Sequence, residues 1–280
     1  MLPLFYFLYM FHLVVRSRNK SCQPLKDIIV PRRTILRLGS TTSTESIARH
    51  NGTKPSKYTE INTAEACLIS GNKILMKEHF TRAKINTAPW FQFSDKGLDA
   101  NTQKIKHYLK KWKTLIVKHK CSSKGNGIYL IKDIEEFIKL WNEIFCQSYN
   151  NYIIEKYYSY SREYRIHVTK DGYFLADRKM LKNDAEVRWH RHAENSVWIK
   201  EENPQFNKPN NWDDIVKDCV AALEAVHLDI GAVDVKVQSS KELTPKWIIL
   251  EINSAPALGE DSIIRYKEVL NLLIDNNVRI

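Results

Sequence analysis

Apolar and polar positions along the chain follow two periods. Spacing by three and four predicts helices over 73–84 (Ile74, Met76, Lys77, Phe80, Ala83) and 102–112 (Ile105, Tyr108, Leu109, Trp112). The same spacing marks a third helix through Ile134, Phe137, Ile138, Trp141 and Phe145, opened by a capping box of Asp133 and Glu136. A fourth helix follows Asn211, read as its cap, with Ile215, Cys219, Ala222, Leu223 and Val226 on one stripe, and a fifth spans 262–273. Alternating or short apolar runs predict strands over 34–38, 114–120, 128–131, 152–157, 163–169, 173–180, 230–237 and 247–253. Asp171-Gly172 lies between two of these and signals a type I′ hairpin turn. Residues 39–44 and 51–57 read as polar loops, and 181–210 as a long polar segment carrying Trp189 and Trp198. There is no internal repeat.

The last strand carries the chemistry. Strict alternation puts Trp247, Ile249, Glu251 and Asn253 on one face and Ile248, Leu250 and Ile252 on the other, with Pro256 ending the ladder. A carboxylate and an amide at the end of an apolar strand suit a hard cation such as Mg²⁺. A core strand with polar residues at its exit reads equally well from this stretch alone. Asp234 shares a face with Ile230, Ala232 and Lys236. Glu163, Arg165 and His167 oppose Tyr164, Ile166 and Val168, giving a polar face that either meets solvent or walls a nucleotide cleft. The loop Ser122-Ser123-Lys124-Gly125-Asn126-Gly127 joins two strands, so it is neither a Walker loop nor a Rossmann turn. Its small residues would let backbone amides approach phosphates, with Lys124 adding charge; a simple hairpin is the competing reading.

Composition adds three constraints. The chain has 280 residues and a formal net charge of +11, which implies attraction to polyanions. Its five cysteines are scattered without metal-like spacing, which points to a reducing, cytoplasmic setting. The apolar stretch 2–15 is too short to span a bilayer. It is read as an element packed on the domain or an extension upstream of the true start, ahead of an interfacial anchor.

Taken in order, these residues resemble the ATP-grasp superfamily over about 72–259. Asn72-Lys73, the helix after it and Ile85-Asn86-Thr87-Ala88-Pro89 resemble the entry motif, with Asn72 in place of the customary aspartate. Ile116-Val117-Lys118 and the Ser122–Gly127 loop resemble the second lysine and phosphate loop. Ile153-Ile154-Glu155-Lys156-Tyr157-Tyr158 resembles the adenine hinge, and Glu163 follows at the distance of the ribose-binding glutamate. Ala232-Val233-Asp234-Val235 and Leu250-Glu251-Ile252-Asn253 resemble the two magnesium-ligand strands.

The resemblance implies an α+β fold in which two α+β subdomains (72–150 and 151–280) clasp ATP behind a short divergent segment (1–71). It implies that Lys73 and Lys118, with Ser123, Lys124, Gly125 and Gly127 of the loop, meet the phosphates. It implies that Glu155, Lys156 and Tyr158 hold adenine, that Glu163 holds ribose, and that Asp234, Glu251 and Asn253 hold Mg²⁺. Two ions are expected, with Mn²⁺ as a substitute. Arg165, Lys179 and Arg188 would neutralise the migrating phosphoryl group, or else are surface cations of a basic protein. The implied activity is carboxylate–amine ligation through an acyl-phosphate, joining an amino acid to a peptide, protein or other amine.

Gly231-Ala232-Val233-Asp234 lacks the arginine that precedes this aspartate in D-alanine–D-alanine ligases. The resemblance is therefore nearer to ribosomal-protein glutamate ligases, glutathione-synthetase-like enzymes and small phage-encoded ATP-grasp proteins. The segment Arg188–Asn195 loosely resembles the basic loop those ligases use near substrate. Two alternatives stand beside it: an ATP-binding module without turnover, and a basic nucleic-acid-binding protein. Carboxylates at 234 and 251 disfavour the last, because a polyanion binder gains nothing from buried negative charge.

Overall fold

The computed structural model describes residues 10–122, 125–191, 194–239 and 241–278. In the N-terminal third, β1 (Phe11–His12) and β3 (Ile29–Val30) form an antiparallel ribbon. β2 (Val14–Ser17), β4 (Thr34–Leu38) and β5 (Thr59–Ile61) form a parallel sheet in the order β2-β4-β5. β4 is buried at every position, as a central strand covered on both faces should be. Leu13 packs with Cys22, Leu25, Val30 and Leu36, and Phe11 packs against them, so from Phe11 onward the apolar N-terminal stretch is part of the fold; residues 1–9 lie outside the described residues. The loop at 39–44 runs into α1 (Thr44–His50), where the Ser43 hydroxyl accepts from the Ser46 amide. α2 (Ala64–Gly71) follows, capped by Thr63.

The middle third begins with α3 (Lys73–Arg82), capped by the Asn72 side chain. β6 (Trp90–Gln92), α4 (Gly97–Trp112), β7 (Leu115–His119), β8 (Ile128–Ile131), α5 (Ile134–Leu140) and β9 (Tyr152–Lys156) come next. The strands make an antiparallel sheet in the order β6-β9-β7-β8. Its core holds Ile105, Leu115, Val117, Phe137, Phe145 and Ile154. α4 starts five residues earlier than the expected residue 102. Buried Asn101 ties that first turn to the preceding loop, accepting from the Ser94 amide and donating to the Ser94 and Gly97 carbonyls. The capping box of α5 reaches one residue further back than expected, since Glu136 accepts from the Lys132 amide. A π-helical turn, Trp141–Phe145, continues the helix. β9 pairs with β6 and β7, so the chain leaves this sheet after Lys156 rather than at residue 150.

The C-terminal part comprises β10 (Arg162–Thr169), β11 (Gly172–Leu181), β12 (Ser196–Lys200), α6 (Trp212–Ala225), β13 (Ile230–Val237), β14 (Trp247–Asn253) and α7 (Glu260–Val278). Its sheet is antiparallel in the order β12-β11-β10-β13-β14. Tyr164, Ile166, Val168, Val233, Val235 and Ile249 cover one face and pack with α6 and with Met76 and Phe80 of α3.

Four expectations are corrected here. The hairpin reverses at Lys170-Asp171, with Thr169 paired to Gly172. Of these residues only Gly172 has positive φ, so the turn is not type I′, which needs positive φ at both central residues. The Asn211 side chain does not cap α6; it donates to the Pro245 carbonyl. The polar 181–210 segment contains the edge strand β12, whose three apolar residues, Val197, Trp198 and Ile199, are too short a run to stand out from the polar residues on either side. Finally, β14 does not alternate strictly. Asp234 pairs with Glu251 but Val235 pairs with Ile249, leaving Leu250 as a bulge. Ile249 and Ile252 turn into the core, while Leu250, Glu251 and Asn253 line a cleft with Ile248.

Candidate functional site

The cleft lies between the four-stranded and five-stranded sheets and has a volume of about 520 Å³. At one wall, β7 and β9 are adjacent, so Lys118 and Glu155 meet: Lys118 Nζ donates to Glu155 Oε2 at 2.8 Å. Lys77 of α3 approaches Oε1 from behind at 3.3 Å. Burial opposes charge on Glu155, but the two lysines outweigh it and hold its pKa below the usual carboxylate range. Burial likewise opposes the Lys118 ammonium, and Glu155 keeps its pKa above the ordinary value. Lys77 keeps the cost of burial, which pushes it down to about 8. Glu155 Oε1 is buried and accepts no hydrogen bond among the described residues. An acceptor in that state fits an incoming N–H donor, such as an exocyclic amine.

Across the cleft, β13 and β14 place Asp234 opposite Glu251. Asn253 Nδ2 donates to Asp234 Oδ2 at 3.3 Å. Arg165 on β10 forks onto the same aspartate, Nε to Oδ1 at 2.7 Å and Nη2 to Oδ2 at 2.8 Å. Lys73 Nζ sits 3.4 Å from Glu251 and donates to the Ser122 carbonyl at 2.8 Å, tying the start of α3 to the glycine loop. Burial would raise the Glu251 pKa, but Lys73, Lys118 and Arg165 prevail and hold it at about 2. No group of three His, Cys, Asp or Glu able to hold a metal occurs among the described residues. The oxygen-donor set is instead two carboxylates and an amide. That suits an ion that keeps part of its water shell, as Mg²⁺ does, and both carboxylates already face cations here.

At the remaining side, Glu163 lies 3.8 Å from Lys179 and 3.4 Å from Arg191. Lys236 stands opposite Glu163 in the ladder and donates to the Tyr158 carbonyl at 3.0 Å. Burial pushes its pKa down to about 8, against the pull of Glu163. Trp198 of β12 lies under Arg165 and Lys179.

Lys73, Lys118, Gly125, Glu155, Lys156, Tyr158, Glu163, Arg165, Lys179, Asp234, Glu251 and Asn253 thus share one cleft. Gly127 shapes the loop rather than lining the cleft: its φ is +64°, and an added Cβ would lie 2.9 Å from that of His119. Arg188 is exposed and outside the cleft; Arg191, three residues on, is the cation that reaches Glu163. Ser123 and Lys124 lie outside the described residues. His167, grouped by alternation with Glu163 and Arg165, is sealed beneath α7, with Nδ1 2.8 Å from the Tyr266 hydroxyl.

Sequence reasoning missed Lys77, Arg191, Lys236 and Trp198 as site residues. Lys77 was readable as one helical turn from Lys73, and Lys236 as two residues from Asp234 on a strand. Arg191 lies within the 188–195 segment that resembles a basic substrate loop, where Arg188 is the residue singled out; Trp198 carries no local signal.

Comparison with known proteins bears on the fold. The model of the tubulin-tyrosine ligase family matches residues 51–160. No curated protein matches. Among solved structures, D-alanine–D-alanine ligase from Bacillus anthracis superposes with a TM-score of 0.62 at 17% identity, covering 88% of this chain and 80% of that one. Carboxyaminoimidazole ribonucleotide synthase from Aspergillus clavatus, complexed with ATP, gives 0.55 at 12% identity, over 79% of this chain and 53% of the other. The ATP-grasp ligase PsnB, complexed with a minimal precursor, gives 0.52 at 13% identity, over 79% and 65%. No helix among the described residues is long and apolar enough to cross a membrane. With its mixed α+β architecture, antiparallel sheets and central cleft, the chain has the ATP-grasp ligase fold.

Proposed function

We propose that the chain is an ATP- and Mg²⁺-dependent ligase that joins a carboxylate to an amine through an acyl-phosphate, with ADP and phosphate as products. The observation that carries this reading is the convergence of Lys73, Lys118, Glu163, Arg165, Asp234, Glu251 and Asn253 on one cleft. The lysines suit the polyphosphate, Glu163 the ribose, and the orphaned Glu155 oxygen the adenine amine. Asp234, Glu251 and Asn253 would hold Mg²⁺, which when bound neutralises phosphate charge. The carboxylate substrate attacks the γ-phosphorus and ADP departs. The amine then attacks the activated carbonyl, loses a proton and expels phosphate. Arg165 and Lys179 lie where they can bind the transferred group, and Trp198 backs both cations. The 121–127 loop, joined to α3 through Lys73, would cover the phosphates and keep water from the intermediate.

The tubulin-tyrosine ligase family is named for joining an amino acid to a protein, which supports a peptide or protein as the amine partner. The absent arginine before Asp234 argues against a D-alanine dipeptide product, because likeness to those ligases at 17% identity extends to fold alone.

The test is ADP release from Mg-ATP with pooled amino acids, acidic peptides and amines. Release that depends on both an acid and an amine, and is lost in Glu251→Ala, is the expected result. ATP binding without release from any pair would leave a nucleotide-binding module instead.

A further inference from the structure

Lys77 does not line the cleft, yet from the buried side it faces the same carboxylate as Lys118. Its side chain is 0% exposed. Its ammonium lies 3.3 Å from Glu155 Oε1 and donates to Thr87 Oγ1, which donates to the Ile249 carbonyl at 2.7 Å. Lys73, one turn earlier on α3, reaches the cleft; Lys77 faces inward. Two lysines and one glutamate therefore form a buried trio of net charge +1.

Folding alone does not account for that excess. One lysine would neutralise Glu155, and buried ion pairs add little net stability even when balanced. A second buried ammonium costs desolvation that the single carboxylate does not repay, consistent with its depressed pKa. The excess is useful once an anion enters the cleft. With Lys77 behind Glu155, the charge of Lys118 is not consumed by its own partner. Without Lys77, Lys118 and Glu155 cancel, and the wall facing the phosphates is neutral at that point.

We propose that Lys77 is a positioning residue for nucleotide binding: it neutralises Glu155 from behind and so leaves the positive charge of Lys118 for the polyphosphate. The proposal rests on the ligase reading only for the identity of the ligand.

The experiment is isothermal titration calorimetry of Mg-ATP, tripolyphosphate and adenosine into the whole chain. The variants are Lys77→Met, Glu155→Gln and the two combined, each checked by circular dichroism. Lys77→Met should weaken ATP and tripolyphosphate about tenfold or more and leave adenosine unchanged. For tripolyphosphate, which lacks the adenine that Glu155 would hold, the double variant should return to within about threefold of the unaltered chain, because one lysine without the carboxylate again gives +1. The proposal is overturned if Lys77→Met binds ATP and tripolyphosphate like the unaltered chain. It is also overturned if the double variant binds tripolyphosphate as weakly as the single, or if adenosine weakens in step in Lys77→Met, which would indicate packing damage. Should Lys77→Met not fold, the double variant decides with tripolyphosphate: recovery supports the proposal, and a loss of about tenfold overturns it. Failure of the unaltered chain to bind ATP would defeat the ligase reading, while the tripolyphosphate series would still decide the role of Lys77.

Discussion

Arg37 and Arg165 both sit on strands, and both are paired with an acidic side chain on a neighbouring strand. Their surroundings make them opposites. Arg37 is fully buried on β4, with Nη1 2.6 Å from Glu60, Nε donating to the Thr42 carbonyl and Nη2 to the Thr44 hydroxyl. Thr44 closes the ring by donating to the same glutamate. Every contact is supplied by the chain, so the cluster fixes the 39–44 turn against β5. Arg165 forks onto Asp234 and otherwise meets an indole face and open cleft. Under the proposed function, a cation bound at Asp234 would compete with the guanidinium for that carboxylate and free the guanidinium for an anionic substrate group. A saturated ion cluster is a structural joint, whereas one with an open side is a candidate binding site.

The largest expected effect tests the open side. Glu251→Ala should lower ADP release by about a hundredfold or more while circular dichroism stays native, because the carboxylate serves the reaction. Unchanged turnover would remove the metal assignment. Next, Arg165→Met should lower turnover by about a hundredfold in a chain that still folds. Arg37→Met should instead cost about 3–5 kcal/mol in urea unfolding, since it strands Glu60 and the Thr42 carbonyl and removes the bond to the Thr44 hydroxyl. If Arg37→Met loses turnover at full stability, the contrast between the two arginines fails.

A smaller effect separates two residues on one strand. His167 is buried and its pKa is pushed down to about 3, mainly by burial. The folded chain therefore leaves it neutral while the unfolded chain protonates it below about pH 6.5. Stability should fall as pH drops from about 6.5 toward 3, by at most about 1.4 kcal/mol per pH unit from this group. Denaturant midpoints at pH 7 and pH 5 should diverge less in His167→Gln. Smallest is the alkaline limit of nucleotide affinity. Lys77 and Lys236, both pushed down to about 8, lose charge as pH rises through that value. ATP affinity should decline between pH 7 and 9, by about tenfold, and a flat profile in calorimetry would count against both lysines as charged in the free protein.

Period and order made much of this legible. The helices through Phe80, Ile105 and Phe137 appear where their stripes place them. Glu163, Arg165, Asp234, Glu251 and Asn253 reach one cleft because the strand faces carrying them pack toward it. Where reading failed, the deciding contact was remote in sequence. Strict alternation groups Ile249 with Glu251, but the Leu250 bulge turns them to opposite sides. Alternation also groups His167 with Arg165, but α7 covers the end of β10 and brings Tyr266 over the imidazole. The polar 181–210 segment concealed β12 because the strand is only five residues long and its apolar run is flanked by polar residues.

By itself, then, the sequence determined the helices and strands whose apolar spacing is strong, those after residue 72 above all, and which side chains can serve as cations, carboxylates or metal ligands. Those properties depend on local spacing and side-chain chemistry. Tertiary structure decided which charges are joints and which are sites. That Arg191 rather than Arg188 meets Glu163, that Lys77 stands behind Lys118, and that Arg37 is closed while Arg165 is open all depend on partners far along the chain. The free energy of a charge is set by everything packed around it, and that surrounding exists only after folding.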